Sequence, residues 1–183
     1  MTELEILHDA VRRLEAGGLA YMITGSIALS YYAQPRMTRD IDLVIECGGH
    51  DARGIVALFR PDYYVSDEDV ARALRETGLF NVLHLEAVVK LDLIVRKESP
   101  FRAHEFARRQ RVTLPGFQAW MVGKEDLILS KLAWAKPTRS ELQLRDVRTL
   151  LESGADVDYL RQWADGLSVA GLLEELLSER HEP

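Results

Sequence analysis

One stretch, MITGSIALSYYAQPRMTRDIDLVIE from Met22 to Glu46, constrains the fold more than any other part of the chain. A short apolar run stops at Gly25-Ser26, and Asp40-Ile41-Asp42 opens a second apolar run. Short apolar runs bounded by turn residues are typical of buried strands, and the residues after Gly25-Ser26 have the pattern of a short helix. The stretch therefore predicts a strand, a turn, a helix and a second strand that begins with two carboxylates.

The whole chain is predicted to be a mixed α/β region followed by an all-helical tail. Thr2 and Glu5 have the spacing of a capping box, which begins a helix that Gly17-Gly18 ends. Strands are expected at 19–24, 40–45, 79–85 and 88–95, the last two as a hairpin, with weaker candidates at 112–114 and 118–121. Further helices are expected at 27–32, 52–59, 67–77, 100–110, 126–134, 140–151, 157–164 and 169–177. The predicted fold class is α/β (α+β), with a core over 1–122 and a helical region over 123–183 packed on it.

Length and composition exclude several classes of protein. No stretch of the 183 residues reaches the roughly 18 apolar residues that a membrane span needs. The first residues, MTELEILHD, are acidic and polar, unlike a signal peptide. Cys47 is the only cysteine, which excludes an internal disulfide and is typical of a reducing compartment. We therefore expect a cytoplasmic protein without a membrane partner.

The net charge of −6 argues against a surface that is basic throughout. Contacts with nucleic-acid phosphates come from clustered lysine and arginine, so an RNA partner would require a local basic patch. One basic-rich stretch runs from Arg96 to Arg111. A solvated helix face is the alternative that we favour for this stretch.

The carboxylates of Asp40 and Asp42 are the first candidate functional groups. Side chains alternate along a strand, so both acids lie on one face while Ile41 and Leu43 face the core. Two carboxylates about 7 Å apart repel each other unless a positive charge lies between them. Mg²⁺ is a suitable cation, because it takes hard oxygen ligands from one or two carboxylates and from substrate phosphates. The alternative is that both acids are exposed to solvent at the end of a strand.

Asp92 is a third candidate, because it interrupts the almost wholly apolar run VVKLDLIV. Burial of a carboxylate without a partner is costly, so we expect a metal ion or another cation beside it. Three acids on neighbouring strands can form a two-metal site that positions and polarises a phosphoryl displacement. The alternative is an acid on an edge strand, paired with Lys90 or with an arginine.

Gly25-Ser26 is predicted to hold phosphate. A strand that ends in Gly-Ser and enters a helix presents free backbone N–H groups and a hydroxyl group to an anion. Gly25 would let a triphosphate approach the backbone closely, and Ser26 would donate to a terminal phosphate oxygen. Together with the three acids, this turn predicts one site that binds both phosphate and metal.

The motif TGSIALSYYAQPRMTRDIDLVIE resembles the signature of the DNA polymerase β-type nucleotidyltransferase superfamily, and KLDLIV resembles its third-carboxylate strand. The resemblance covers about Tyr21 to Val95 and implies a minimal nucleotidyltransferase fold, a mixed β-sheet flanked by helices. It implies that Gly25 and Ser26 hold the triphosphate of an NTP. It also implies that Asp40, Asp42 and Asp92 are catalytic and coordinate two Mg²⁺ ions, with Asp92 helping to deprotonate the attacking hydroxyl group.

The tail narrows this resemblance. KEDLILSKLAWAK and LRDVRTLL are similar to later motifs of AbiEii-like nucleotidyltransferases, the toxin class of some toxin–antitoxin pairs. The resemblance places Lys131, Arg145 and Asp146 beside the nucleotide, and it implies an RNA or tRNA acceptor and a cognate antitoxin as partners. Lys131 would bind a β or γ phosphate as a point charge, held in place by Asp146. The alternative is an ordinary salt bridge between helices.

Other residues near these motifs leave alternatives open. Arg36 and Arg39 flank the acids, where each would pair with phosphate or neutralise Asp40 or Asp42. The three tryptophans are predicted to lie in the core, although a tryptophan near Lys131 could stack on a base: Trp120, Trp134 and Trp163.

The sequence thus predicts a Mg²⁺-dependent nucleotidyltransferase that moves an NMP from an NTP, such as ATP, to an acceptor hydroxyl of RNA, a protein or a small molecule. Two other functions stay open. One is a nucleotide-binding or partner-binding module with the same fold that transfers nothing, and the other is an antitoxin or scaffold whose surface matters more than its pocket.

Overall fold

The computed structural model describes residues 1–33 and 40–179. The helices within these ranges are α1 (Glu3–Ala16), α2 (Gly25–Tyr32), α3 (Ala52–Phe59), α4 (Asp67–Glu76), α5 (Pro100–Ala107), α6 (Lys124–Ala135), α7 (Glu141–Glu152), α8 (Val157–Ala164) and α9 (Ala170–Glu179). The strands are β1 (Ala20–Ile23), β2 (Asp40–Glu46), β3 (Tyr63–Val65), β4 (Leu79–His84), β5 (Lys90–Val95), β6 (Gln110–Leu114) and β7 (Phe117–Met121).

The strands form a single seven-stranded sheet in the order β3-β4-β5-β2-β1-β7-β6. Two neighbouring pairs are parallel, β2 with β5 and β1 with β7, and the other pairs are antiparallel. The sheet is therefore mixed, and β2 and β5 lie near its centre. This confirms the predicted α/β fold class with helices flanking a mixed sheet.

Alternation along the central strands separates a buried face from a more open one. In β2, Ile41, Leu43 and Ile45 are buried, whereas Asp42 and Val44 between them are only partly buried. β5 shows the same alternation, with Leu91, Leu93 and Val95 buried. Because side chains alternate across a strand, the partly buried residues of both strands share one face of the sheet. We call it the open face.

The predicted capping box at the start of α1 is present. The Thr2 hydroxyl oxygen accepts from the backbone N–H of Glu5 at 3.2 Å, and the Glu5 carboxylate accepts from the N–H of Thr2 at 2.7 Å. These two bonds satisfy donors that the first turn of a helix otherwise leaves unpaired. Apolar residues at helical spacing then bury one side of α1: Ile6, Leu7, Ala10, Val11 and Leu14.

Two predicted elements extend too far, and one strand was not predicted. The second strand of the hairpin begins at Lys90 rather than at 88, because Val88 has φ of +53°, a left-handed conformation that strands do not adopt. The helix expected over 100–110 ends at Ala107, and Gln110 begins β6. β3 was not predicted, since three residues are too few to show a strand period.

Helices α6 to α9 follow the last strand, and α6 contacts α2, α7 and α8. The hydrophobic core is continuous, and it joins residues of β1 such as Met22 to residues of α6 such as Leu129. The division into a core over 1–122 and a helical region over 123–183 stays a prediction. Within the described residues, no helix combines the length and the apolar character that crossing a membrane would require.

Candidate functional site

Two of the three predicted acids lie side by side on adjacent strands at the centre of the sheet. β2 and β5 pair in register, with Asp42 opposite Asp92 and Asp40 opposite Lys90. Adjacent strands lie about 4.8 Å apart, so residues in register on one face are close neighbours. The alternative in which Asp92 is an edge-strand acid is wrong in its placement, because β5 lies between β4 and β2.

The predicted Gly25-Ser26 turn lies against Asp42. Gly25 begins α2 with φ of +62°, and a Cβ atom at this position would overlap the Asp42 carboxylate. The Thr24 N–H donates to the backbone oxygen of Asp42 at 3.0 Å, and the Ser26 backbone N–H hydrogen-bonds to the Asp42 carboxylate. Only glycine combines this backbone conformation with so close an approach. The turn and the acid therefore form one structural unit.

The positive charge near Asp42 does not compensate for its burial and for the neighbouring acids. Burial, followed by repulsion from Asp92, raises the pKa of Asp42 from 3.8 to about 6. Lys131 and the Ser26 N–H lower that pKa, but they only partly offset the effect. A carboxylate held beside another carboxylate in a partly buried position favours the binding of a cation.

Asp92 and Asp40 both contact Lys90. The Lys90 ammonium lies 3.1 Å from Oδ2 of Asp92 and 3.6 Å from Oδ2 of Asp40. Asn81 of β4, opposite Asp92 in register, donates to Oδ1 of Asp92 at 2.5 Å. The cation expected beside Asp92 is thus Lys90, which is one of the two partners that the edge-strand alternative named. Asn81 was not singled out in the sequence, because an exposed polar residue in a strand carries no distinctive pattern.

The donors present suit Mg²⁺ in part. Among the described residues, no group of three histidine, cysteine or acidic side chains is placed to hold a metal ion. The pair of Asp42 and Asp92 nevertheless offers hard oxygen atoms and an unbalanced negative charge. Mg²⁺ is commonly held by one or two carboxylates, with substrate phosphates and water as the other ligands. The pair therefore fits a site that becomes complete when a phosphate binds.

Lys131 and Asp146 form a buried pair between α6 and α7. The Lys131 ammonium donates to Oδ2 of Asp146 at 2.9 Å and to Oε1 of Gln143 at 3.2 Å. Lys131 is 5% exposed and Asp146 is 3% exposed. The interhelical salt bridge that we considered is therefore present, and Lys131 is also close enough to lower the pKa of Asp42. Arg145, which the resemblance placed in this group, is exposed.

The basic-rich stretch does not form a free basic patch. Its arginines are engaged by acids or by backbone oxygen atoms: Arg96 by Glu46, Arg102 by Glu105, Arg108 by Asp126, Arg111 by Glu15 and Arg109 by the carbonyl of Phe106. The acids offset the charge of four arginines, whereas Arg109 and Lys97 form no salt bridge within the described residues. Few unpaired charges therefore remain in this stretch for RNA phosphates to bind. Arg36 and Arg39 lie outside the described residues.

A cleft of about 370 Å³ opens on the same face of the sheet as the acids. Val44 and Ile94, opposite each other in β2 and β5, line it together with α6 and the segment from Arg96 to Glu105. Trp134 of α6 lies at this cleft and is 64% exposed. The prediction that Trp134 is a core residue was wrong, whereas Trp120 and Trp163 pack against the core.

Three solved structures resemble this chain over most of its length. The antibiotic-resistance factor ANT(2'')-Ia has a TM-score of 0.61 at 15% identity, covering 98% of this chain and 96% of that one. An antigenic nucleotidyltransferase-like protein from Paracoccidioides brasiliensis has a TM-score of 0.59 at 17% identity, covering 94% and 92%. The lincosamide antibiotic adenylyltransferase LnuA, bound to lincomycin, has a TM-score of 0.57 at 14% identity, covering 84% and 98%.

No protein-family model matches the chain, and no curated protein matches it in sequence. At identities of 14% to 17% the likeness concerns the fold alone. The chain therefore has the nucleotidyltransferase fold, as the sequence predicted.

Proposed function

We propose that this protein is a Mg²⁺-dependent nucleotidyltransferase that moves an NMP from an NTP to the hydroxyl group of an acceptor. The observation that carries the proposal is the pair of Asp42 and Asp92, which lie opposite each other in β2 and β5 with the Gly25 turn against Asp42. A carboxylate pair beside a glycine turn at a helix N-terminus supplies oxygen ligands for a metal and N–H donors for phosphate.

Each residue of the site has a proposed role. Gly25 and Ser26 hold the triphosphate, and Lys131 binds one of its outer phosphates while Asp146 and Gln143 fix the ammonium group. Asp42 and Asp92 would hold Mg²⁺ together with the substrate phosphates, and Asp40, which contacts Lys90 in the structure, would join them as a third carboxylate. When bound, Mg²⁺ neutralises charge on the phosphates and the carboxylates. Lys90 contacts Asp40 and Asp92, and its ammonium group partly offsets their negative charge before substrate binds.

The transfer itself makes one bond and breaks one. The acceptor hydroxyl oxygen attacks the α-phosphorus, and the bond from the α-phosphorus to the oxygen that bridges to the β-phosphate breaks. Pyrophosphate leaves with that oxygen, and the hydroxyl proton passes to the Asp92 carboxylate and then to solvent. Most of the rate enhancement in such a reaction comes from positioning and from charge stabilisation, which a rigid strand pair can provide.

The neighbours in fold support a small-molecule acceptor. LnuA is a lincosamide adenylyltransferase with lincomycin bound, and ANT(2'')-Ia has been solved with adenylyl-2''-tobramycin. A toxin that modifies RNA, with a cognate antitoxin, is the alternative that the α6 and α7 motifs suggest. The engaged arginines of the stretch from Arg96 to Arg111 argue against it.

The proposal is tested by incubating the protein with Mg²⁺ and each α-³²P-labelled NTP, with total cellular RNA, total protein or a hydroxylated metabolite mixture as acceptor. We expect label in the small-molecule fraction with wild type and none with Asp42→Asn. Asp158→Asn makes the same chemical change at an exposed position of α8 and should label like wild type. Stabilisation by Mg²⁺-NTP without any labelled product would instead show a nucleotide-binding module that transfers nothing.

A further inference from the structure

The cleft beside the acids has the size of a small-molecule site. Its volume of about 370 Å³ falls in the lower part of the range for ligand pockets, roughly 300–1,000 Å³. Val44 and Ile94 line it, and they are opposite each other in β2 and β5, as Asp42 and Asp92 are. Residues two apart in a strand are separated by about 7 Å on the same face. A small molecule that contacts Val44 and Ile94 in the cleft can therefore reach the two acids.

One wall of the cleft is aromatic and unusually accessible. Trp134 projects from α6 with 64% of its surface exposed, next to Ala133 and Pro137. An indole offers a flat apolar face to a ring, and aromatic pairs of this kind contribute about 0.5–1.5 kcal/mol beyond the area they bury. The wall opposite the sheet is therefore suited to a planar or cyclic compound.

The polar end of the cleft presents donors rather than acceptors. Glu105 is 2% exposed, and both of its carboxylate oxygens are engaged, Oε1 by the Ser130 hydroxyl at 2.5 Å and Oε2 by Arg102 at 2.8 Å. Arg102 donates from Nη1 to Oε2 of Glu105 and to the hydroxyl oxygen of Ser130. Within the described residues, no hydrogen bond involves its Nε or Nη2 atoms. The buried carboxylate thus fixes a guanidinium group whose remaining N–H groups can bind an anion.

The accessible charges around the cleft are positive, which also favours an anionic ligand. Lys97 lines the cleft, is exposed, and forms no salt bridge within the part of the chain that the structure describes. Arg96 also lines it but is occupied by Glu46, to which its Nε and Nη2 atoms donate at 2.8 Å and 2.5 Å. Glu105 is the only acid in the described lining, and it is buried. A cationic compound would find no accessible carboxylate there.

We propose that this cleft is the acceptor site, and that the acceptor is a small ring compound bearing a hydroxyl group and an anionic group. The ring packs between Trp134 and the sheet, and the anionic group binds Arg102 and Lys97. The hydroxyl group then extends along the open face towards Asp42 and Asp92. This inference rests on the proposed nucleotidyl transfer and names the class of molecule that receives the NMP.

The first test measures binding alone, without transfer. Three phenols of similar size carry a negative, a neutral and a positive group at the end of the side chain: 4-hydroxyphenylacetate, 4-hydroxyphenylacetamide and tyramine. Saturation-transfer NMR titrations with the full chain give a dissociation constant for each. We expect the carboxylate to bind about tenfold more tightly than the amine, a difference of about 1.4 kcal/mol. Equal binding of the three, tighter binding of tyramine, or binding of none would overturn the proposal.

Variants place the compound in the cleft. Trp134→Ala should weaken the binding of 4-hydroxyphenylacetate by about fivefold. Lys97→Glu should reduce or reverse the difference in affinity between 4-hydroxyphenylacetate and tyramine. Tyr64→Ala removes an aromatic ring of similar exposure, 63%, from β3 outside the cleft, and it should change neither. A Trp134→Ala variant that loses affinity for Mg²⁺-ATP but not for the phenols would assign the cleft to the nucleobase and contradict the inference.

A second readout separates this inference from the proposed function. Mass spectrometry of reactions with Mg²⁺ and an NTP should detect a nucleoside monophosphate ester of 4-hydroxyphenylacetate, formed with release of pyrophosphate. Transfer to RNA, or to tyramine in preference to the carboxylate, would preserve the nucleotidyltransferase and refute the anionic acceptor. Charge-selective binding in the cleft with no transfer to any acceptor would refute the proposed function and, with it, the role of the cleft as an acceptor site.

Discussion

Asp42 and Asp92 lie opposite each other in adjacent parallel strands, and the repulsion between them adds to burial in raising the pKa of Asp42 to about 6. The backbone ladder of β2 and β5 fixes the Cα atoms of both acids, so the two residues stay neighbours unless the centre of the sheet opens. The protein therefore tolerates an unfavourable charge arrangement at a fixed place. Such an arrangement is typical of a site that a cation or a reacting group completes.

We expect this repulsion to appear in the pH dependence of stability. A carboxyl group whose pKa is higher in the folded state binds its proton more tightly there, so its contribution to stability falls as pH rises from 3.8 to about 6. The change corresponds to about 2–3 kcal/mol. Urea unfolding at pH 5 and pH 7 should show Asp42→Asn gaining stability over wild type at pH 7 and roughly half as much at pH 5. A variant less stable than wild type at pH 7 would refute the repulsion.

The Gly25 turn should not accept a side chain. Gly25→Ala places a methyl group on the Asp42 carboxylate, so we expect loss of nucleotide binding and a lower melting temperature. Gly18→Ala is a matched control, because Gly18 has a similar φ of +68° with nothing within 4 Å of the added Cβ atom. The control should cost only the backbone strain of about 1–2 kcal/mol and leave nucleotide binding unchanged. Equal effects in the two variants would show that φ alone requires glycine at position 25.

The pair of Lys131 and Asp146 should separate stability from function. Asp146→Leu leaves the buried Lys131 ammonium without its carboxylate, which typically costs about 3–5 kcal/mol. The double variant Lys131→Met/Asp146→Leu should recover much of that loss in urea unfolding, yet it should not regain affinity for Mg²⁺-ATP in calorimetry. Recovery of both would mean that the pair serves only to join α6 and α7.

Asn81 should act as a positioning residue for Asp92. Asn81→Ala removes the amide that donates to Oδ1 of Asp92, and we expect transfer to fall about tenfold, as is common for partners of metal-binding carboxylates. The apparent affinity for Mg²⁺, measured from the Mg²⁺ dependence of the rate, should fall with it. Gln118→Ala shortens an exposed amide on β7 and should have no effect. An unchanged Mg²⁺ dependence in Asn81→Ala would remove this role.

The sequence predicts the fold well, and it draws attention to the acids, for physical reasons that are local. Alternation and apolar runs identify β2 and β5, and an acid within an apolar run is conspicuous even before its neighbours are known. The partners of those acids leave no comparable signal. Asn81 and Gln143 are ordinary polar residues, and they matter only because β4 and α7 bring them to Asp92 and Lys131.

The cleft could not be predicted for a related reason. It exists because α5 and α6 meet over β2 and β5, and those contacts join residues far apart in the chain. The same packing explains why the prediction for Trp134 failed. An apolar residue on a helix that packs against the core is normally buried, but the turn of α6 that carries Trp134 lies over the cleft instead of over the core.

The carboxylate pair and several side chains of the cleft lie on different kinds of secondary structure. The carboxylate pair is carried by strands in the middle of a seven-stranded sheet, whereas Trp134, Ser130, Arg102 and Glu105 at the cleft are carried by helices. Substitutions in those helices can reshape the cleft while the interstrand ladder keeps the spacing of the two acids constant. Under the proposed function, selectivity for the acceptor can therefore change through substitutions in α5 and α6 while the positions of the two acids stay the same.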